Sequence, residues 1–492
     1  MTDAGPDACL EGILSLSGNA RWEIDRARAA RNVTAYVVRS FDGSALVFSL
    51  PLLVLRPLPA EIPLDPRGST GAVACIIERI KEEAASDEAL GPLVGRGCRF
   101  PHQFAALTEP YTVVSSPAAL ASHLWHAGGR NVADGRGIRL LVGGAVPCPA
   151  AFSHRDVREV AGTVARFCEA VAEVTFSVPA RELEAAWMAA LDQQLLREML
   201  PEKGLVSFVG DGAHLARSYT RYRCYFRTAG PKTGTSIPFT CPADLSPVEL
   251  ELPASNRTVT GLGIRKKEVF AVAGSNAEGK TTFLEGIMAG MDDHAPGDGR
   301  EMVVTVHGLC TAEAMNAILT GADVSMFFSS LPPGISGTVH AASGMGSGSM
   351  TMAYQVQRAV GRGCPLLIID EDRAAPNLLV GSALQKEDIT PLSAILCHDR
   401  GRMKETALVF AACAMDTLVA QADRIMVLDR HVARAIDREE FRERVALSLE
   451  RMARDLMMKG PAGRGIEQPP REGRRINKPS GDGAEDHGLG IL

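Results

Sequence analysis

The stretch Gly274-Ser-Asn-Ala-Glu-Gly-Lys-Thr281 fits the pattern G-x-x-x-x-G-K-[ST] of a phosphate-binding loop. The apolar segment Glu268-Val-Phe-Ala-Val-Ala273 precedes it and predicts a buried strand. Residues with helical spacing follow, among them Phe283 and Ile287. A strand, a glycine loop and a helix in this order are the context that the motif requires. We therefore predict an α/β fold built on a P-loop core.

The residues of this loop have separate expected roles. Gly274 and Gly279 let the backbone curl so that its N–H groups point at phosphate oxygens. Lys280 is expected to reach the β- and γ-phosphates, and Thr281 to hold Mg²⁺. The alternative is a chance glycine turn with a surface lysine, which the flanking strand and helix disfavour. The predicted cofactors are ATP and Mg²⁺, with nucleotide contacts from Gly274, Ser275, Asn276, Ala277, Glu278, Gly279, Lys280, Thr281 and Thr282.

A second motif, Leu366-Leu-Ile-Ile-Asp370-Glu371, ends an apolar run in two carboxylates. The continuous run predicts a strand buried on both faces of a parallel sheet. Asp370 is expected to hold Mg²⁺, directly or through water. Glu371 is expected to orient or deprotonate the attacking water, and with Lys280 it forms the predicted catalytic pair. Ordinary turn residues at a strand end are the alternative.

A third motif, Ser347-Gly348-Ser349, lies between the other two. Met350, Ala353 and later apolar residues fall on one face of a predicted helix that begins there. The three residues would then lie at a helix N-terminus, which favours a bound anion. Because residues 341–349 are mostly Gly, Ser and Ala, a plain flexible linker is the alternative.

The segment from Leu196 to Leu428 resembles the family called predicted ATPases of the ABC class, a bacterial and protist family distinct from transporters. Ser347 lies 23 residues before Asp370, the separation between signature serine and strand-end aspartate in ABC-type ATPases. The resemblance implies ATP hydrolysis by a homodimer, in which Ser347-Gly348-Ser349 of one chain covers the γ-phosphate held by the other chain's P-loop. The phrases that carry it are Gly204–Arg217, Ile237-Pro-Phe239, Gly261-Leu-Gly-Ile264, His294–Glu301 and Asp370-Glu-Asp372.

The chain departs from the family pattern at two places, and it also lacks a histidine that ordinary ABC proteins have and this family often lacks. Ser275–Glu278 stands where the family typically has Gly-Gly-Tyr-His, and Arg373–Asn377 replaces Thr-Ser-Ala-Thr-Asn. Ala411-Ala-Cys413 stands where ordinary ABC proteins have their switch histidine. A second function therefore stays open, namely a nucleotide-dependent switch or scaffold of a protein complex with slow or lost hydrolysis.

One basic and aromatic window, residues 212–243, contains no Asp or Glu and holds three of the six tyrosines of the chain. Cations for phosphates and rings for base stacking predict binding of RNA or single-stranded nucleic acid. A contact with the nucleotide and a purely structural edge hairpin are the alternatives. The candidate residues are Arg217, Tyr219, Arg221, Tyr222, Arg223 and Arg227.

The composition bears on nucleic-acid binding, on membrane insertion and on the cellular compartment. The net charge is −6, so any nucleic-acid site must be local. The eleven cysteines show no C-x-x-C spacing, which fits a reducing compartment. The apolar run from Ala45 to Leu55 contains Pro51 and is too short to span a bilayer. We expect a cytoplasmic protein; the arginines between Arg21 and Arg31 leave mitochondrial import open.

Composition shifts along the chain predict its domains. We expect an α/β domain at 1–180, a connecting helix at 181–203 and the ATPase domain at 204–434. A C-terminal helix is expected at 435–459, followed by a disordered tail at 460–492 that is rich in Gly, Pro and charge.

Overall fold

The computed structural model describes residues 36–40, 42–63, 65–84, 86–99, 131–150, 153–223, 226–231, 236–382 and 388–458. Within 218–231 it describes the backbone only. The predicted disordered tail at 460–492 lies outside the described residues, as does the arginine-containing segment from Arg21 to Arg31. The chain divides into two compact units, residues 1–443 and 444–492.

The N-terminal region is an antiparallel sheet with helices packed against it. Its elements are β1 (Tyr36–Arg39), β2 (Ala45–Val54), α1 (Ser69–Glu83), β3 (Val132–Asp134), β4 (Gly137–Pro147) and α2 (His154–Ser177), and the sheet order is β1-β2-β4-β3.

Every residue of β2 pairs with strand β4, from Ala45 opposite Pro147 to Val54 opposite Ile138. The rings of Phe48 and Phe167 meet edge to face at 5.6 Å in the core beneath.

Helix α3 (Ala180–Met199) belongs to two hydrophobic cores. Leu183 and Trp187 pack into the core of the N-terminal region, whereas Leu196 packs into the core beneath the P-loop strand. A Cβ atom at Gly71 of α1 would lie 1.9 Å from the carbonyl oxygen of Ala186, so glycine permits this close helix approach. Helix α3 therefore contributes buried residues to both cores.

The remaining elements follow in chain order. The strands are β5 (Leu205–Gly210), β6 (Arg217–Arg223), β7 (Phe226–Pro231), β8 (Val248–Leu252), β9 (Arg257–Arg265), β10 (Val269–Ala273), β11 (Val303–Thr305), β12 (Cys310–Thr311), β13 (Ala317–Ala322), β14 (Ser336–Thr338), β15 (Ala341–Gly346), β16 (Leu366–Asp370), β17 (Ala407–Ala412), β18 (Arg424–Asp429) and β19 (Val432–Ile436). The helices are α4 (Lys280–Ala289), α5 (Gly348–Gly361), α6 (Pro376–Leu379), α7 (Leu392–His398), α8 (Asp416–Val419) and α9 (Arg438–Met458).

The sheet that positions the site has the order β12-β16-β17-β10-β18-β19 and is parallel except for its β18–β19 pair. Its central strands are buried along their length, as their apolar sequences predict. One strand, β17, lies between the P-loop strand β10 and the aspartate strand β16. The carboxyl ends of all three therefore meet at one edge of the sheet.

Three smaller sheets have the orders β11-β5-β9-β8, β13-β15-β14 and β6-β7. The plain-linker interpretation of residues 341–349 is wrong for its first part, because Ala341–Gly346 forms β15 and pairs with both β13 and β14. Small residues suit this strand, since a Cβ atom at Gly346 would lie 2.7 Å from the side chain of Leu319.

Candidate nucleotide site

The phosphate-binding loop connects β10 to α4 as predicted. Gly274 and Gly279 have φ values of 141° and 98°, which L side chains rarely adopt. A Cβ atom at Gly274 would also lie 2.5 Å from the carbonyl oxygen of Leu428. Both glycines are therefore required by the backbone path as well as by the motif.

The side chain of Lys280 bends back over the phosphate-binding loop. Its Nζ atom donates hydrogen bonds of 2.8 Å to the carbonyl oxygens of Gly274 and Ser275. The side chain is only 9% exposed, so the ammonium is held at the centre of the loop. This placement directs a point charge to where the loop curls around a phosphate.

One hydrogen bond joins the phosphate-binding loop to the strand that ends at Asp370. Thr281 Oγ1 donates to Asp370 Oδ2 over 2.7 Å, although the two residues are 89 positions apart. A hydroxyl and a carboxylate are oxygen ligands of the kind that Mg²⁺ prefers, and Mg²⁺ takes its remaining ligands from phosphates and water. Among the described residues, no three His, Cys, Asp or Glu side chains converge to hold a metal by themselves. The pair thus fits a metal that enters with a nucleotide.

Glu371 follows Asp370 and is tethered to the neighbouring strand end. Its Oε2 atom accepts hydrogen bonds from the backbone N–H groups of Cys413 and Ala414, just beyond β17. These amides occupy the region where a switch histidine was expected and not found. No sequence pattern could have indicated this contact, because backbone amides are present at nearly every position.

The signature segment begins α5 as predicted. Ser347 is the N-cap residue, with extended φ and ψ of −69° and 167°, yet its side chain makes no capping hydrogen bond. Ser347 is exposed, while Ser349 donates a 2.7 Å hydrogen bond to Asn377 in the segment that follows the aspartate strand. The helix start is therefore open to an anion from outside.

A cavity of about 520 Å³ lies over the P-loop. Lys280, Thr281 and Thr282 form its polar side, and Ile237 and Phe239 lie on its apolar side. Such a volume is in the range of small-molecule sites. Ser347, Gly348 and Ser349 are not among the residues that line it, so one chain supplies only part of the predicted composite site.

A second cavity, of about 460 Å³, lies away from this chemistry. It is bounded by α1, α3 and the loop at 291–296, and its walls include small apolar residues such as Gly71 and Ala186. The motif residues Lys280, Thr281, Asp370 and Glu371 do not line it.

The basic window folds in part into the hairpin β6–β7, in which Tyr222 lies opposite Arg227. Arg217 differs from the expectation. Its side chain is 3% exposed and forms a 2.6 Å ion pair with Asp298, so it is not presented to a nucleic acid. Burial lowers the pKa of Arg217, and the Asp298 and Glu301 carboxylates oppose that shift. The side chains of Tyr219, Arg221, Tyr222, Arg223 and Arg227 lie outside the described residues.

The fold and the P-loop together define a nucleotide-binding protein of the P-loop class. A family model for the P-loop domain of ABC ATPases matches residues 179–459, more than half of the chain. An uncharacterized protein of Methanocaldococcus jannaschii is 36% identical over 418 residues, covering 85% of this chain and 91% of that protein. The chain belongs to the ABC ATPase P-loop family.

Solved structures show more distant similarity. An inward-facing putative metal-chelate type ABC transporter has a TM-score of 0.26 and 16% identity, covering 39% of this chain and 82% of that chain. A nucleotide-free ATP-binding cassette from an ABC transporter has a TM-score of 0.26 and 15% identity, covering 38% and 87%. A bacterial Atm1-family ABC exporter with ATP bound has a TM-score of 0.29 and 13% identity, covering 63% and 53%. These similarities are too low to carry a functional comparison. In the described part of this chain, no helix has the length and apolar character that crossing a bilayer requires.

Proposed function

We propose that the protein hydrolyses MgATP as a homodimer with two composite sites. The observation that carries this proposal is the 2.7 Å hydrogen bond between Thr281 and Asp370, which joins the P-loop helix to the aspartate strand. Lys280 and the loop amides bind the phosphates, and Thr281 and Asp370 hold Mg²⁺, which neutralises phosphate charge when bound. Glu371 orients the attacking water and accepts its proton.

The dimer is part of the proposal because a single chain leaves the site incomplete. Ser347 lies at an exposed and uncapped helix start, whereas Lys280 lies in a cavity that this helix start does not line. A second copy, placed with its Ser347 over the first copy's cavity, would supply both missing parts by symmetry. We place the ATPase domain at 204–434, after an N-terminal domain at 1–180 and a connecting helix at 181–203, with a further helix at 435–459.

A second candidate function is a nucleotide-dependent switch with slow hydrolysis. The hydrogen bonds from the amides of Cys413 and Ala414 to Glu371 favour it. A carboxylate oxygen that accepts these bonds is not available to the attacking water until they break. In this setting ATP binding would join the two copies and turnover would release them.

We also propose that ATP hydrolysis is coupled to the binding of RNA or single-stranded nucleic acid. It is supported by the absence of Asp and Glu from 212–243 and by the hairpin that part of this window forms. Arg217 is left out because it is buried against Asp298, and the proposed contacts are Tyr219, Arg221, Tyr222, Arg223 and Arg227.

The test is ATP hydrolysis by the purified protein, with and without single-stranded RNA, beside Glu371→Gln. Turnover that rises with RNA and disappears in the variant would support the coupled ATPase. ATP binding without turnover in either condition would favour the switch. Absence of ATP binding would contradict both.

A further inference from the structure

Glu278 places a carboxylate inside the phosphate-binding loop, one residue before Gly279 and two before Lys280. Its side chain borders the same cavity as Lys280 and Thr282. A carboxylate that faces a bound polyphosphate would repel it, and the repulsion grows with the number of phosphate charges. The position of this carboxylate therefore decides whether the loop can bind a polyphosphate.

The structure shows what holds Glu278. Its Oε2 atom accepts a 3.2 Å hydrogen bond from the backbone N–H of His431, 153 residues later in the chain. The ring Nδ1 of His431 donates to the carbonyl oxygen of Glu278 over 3.1 Å. Two bonds from one residue thus fix both the backbone and the side chain of Glu278.

His431 lies in a turn whose backbone is unusual for its sequence. Arg430 and His431 form the two-residue connection between β18 and β19, and their φ values are 51° and 64°. Turns of this shape favour Asn-Gly or Gly-Gly, because φ is positive at both positions. Backbone strain of this kind persists where the surroundings require a particular residue, often at functional sites. Glycine at 431 would relieve the strain but could not bond the Glu278 carbonyl.

We propose that the β18–β19 turn is a positioning element for the nucleotide, in which His431 holds the Glu278 carboxylate away from the phosphates. The proposal rests on the proposed function, since it requires a nucleotide polyphosphate in the P-loop cavity. His431 acts through Glu278 and is a positioning residue, not a catalytic one. Losing the imidazole removes the bond to the Glu278 carbonyl oxygen, so the loop backbone that carries the carboxylate is no longer fixed to the turn. The remaining bond, from the backbone N–H of His431 to the carboxylate, is exposed and contributes little alone.

The test is a double-mutant cycle on ATP affinity in the full chain, measured by calorimetry with Mg²⁺ for wild type, His431→Ala, Glu278→Gln and the double variant. In wild type we expect ATP binding. His431→Ala should raise Kd about fivefold, the order expected for one added charge near 4 Å in water. In the Glu278→Gln background the same change should raise Kd less than about twofold, because no charge is released.

Two further measurements separate positioning from structural damage. The His431→Ala effect should be smaller for ADP than for ATP, since the repulsion depends on phosphate charge. His431→Gly also lacks the imidazole but suits the left-handed turn, so it should raise Kd about as much as His431→Ala if the bond to the Glu278 carbonyl is what matters.

The outcomes distinguish this proposal from the proposed function. If His431→Ala causes equal losses in the wild-type and Glu278→Gln backgrounds, or no loss in either, the positioning role is overturned, while ATP binding by wild type leaves the proposed function standing. Absence of ATP binding by wild type would overturn the proposed function itself.

Discussion

The P-loop region and the signature region of this protein differ in how far their side chains are buried and hydrogen-bonded. Around the P-loop, Lys280 is buried on two carbonyl oxygens and Thr281 is bonded to Asp370. At the signature region, Ser347 is exposed and its side chain leaves the first turn of α5 uncapped. The first region is a pre-formed pocket within one chain, and the second is an exposed helix start. Under the proposed dimer, this difference means that phosphate binding belongs to one chain, whereas closure over the phosphate uses a second.

Glu371→Gln should separate binding from chemistry with the largest effect. The amide cannot accept a proton from water, so turnover should fall by about 100-fold or more. ATP binding should persist, and the ATP-bound dimer should accumulate in light-scattering measurements. Glu405→Gln is the matched control, because Glu405 is 73% exposed and pairs with Lys267 at the surface. Unchanged turnover in the Glu371 variant would refute its catalytic role.

Lys280→Ala should break the pre-formed pocket. Loss of charged hydrogen bonds to two phosphate groups, at about 1.5 kcal/mol each, predicts a rise in the Kd for ATP of about 100-fold. Equilibrium binding of a fluorescent ATP analogue would measure it. The exposed Lys203→Ala is the control for loss of a lysine. Near-normal affinity in the Lys280 variant would show that the cavity over the P-loop is not the nucleotide site.

Asp370→Asn should weaken the metal-dependent part of binding. An amide oxygen can still accept the bond from Thr281, so the variant should fold, but it loses the charge that holds Mg²⁺. We expect ATP affinity to fall about tenfold in Mg²⁺, and to change little when EDTA removes the metal. The same loss in both conditions would mean that Asp370 supports the fold and not the metal.

Arg221→Glu combined with Arg223→Glu tests the hairpin. The changes should reduce affinity for single-stranded RNA about tenfold and flatten its dependence on salt. ATP affinity should stay the same, because the P-loop and the aspartate strand are left unchanged. The conservative variant with lysine at both positions should keep most of the RNA affinity. Equal loss of RNA and ATP binding would argue against a nucleic-acid surface.

The sequence predicted the parts of the site that have a local pattern. The P-loop, the strand that ends at Asp370, the helix that starts after Ser347 and the helix from Ala180 to Met199 all appear as expected. Each of them has a local hydrophobic pattern, and such patterns need no knowledge of distant residues.

Contacts between distant backbone groups could not be predicted in this way. The bond from His431 to Glu278 spans 153 residues, and the tether of Glu371 to the amide of Cys413 spans 42. A backbone N–H is the same at nearly every position, so only the folded arrangement of β17 and β18 reveals which amides matter. The burial of Arg217 was missed for the related reason that its partner, Asp298, lies 81 residues away.

The most direct test of the composite site mixes two inactive variants, Ser347→Arg and Lys280→Ala. Each alone should hydrolyse no ATP above background, because every site of its dimer lacks either a signature or a P-loop. A mixed dimer contains one intact site, so an equimolar mixture should recover about a quarter of wild-type turnover. A mixture that stays inactive, while both proteins remain folded and wild type is active, would contradict a site shared between two copies.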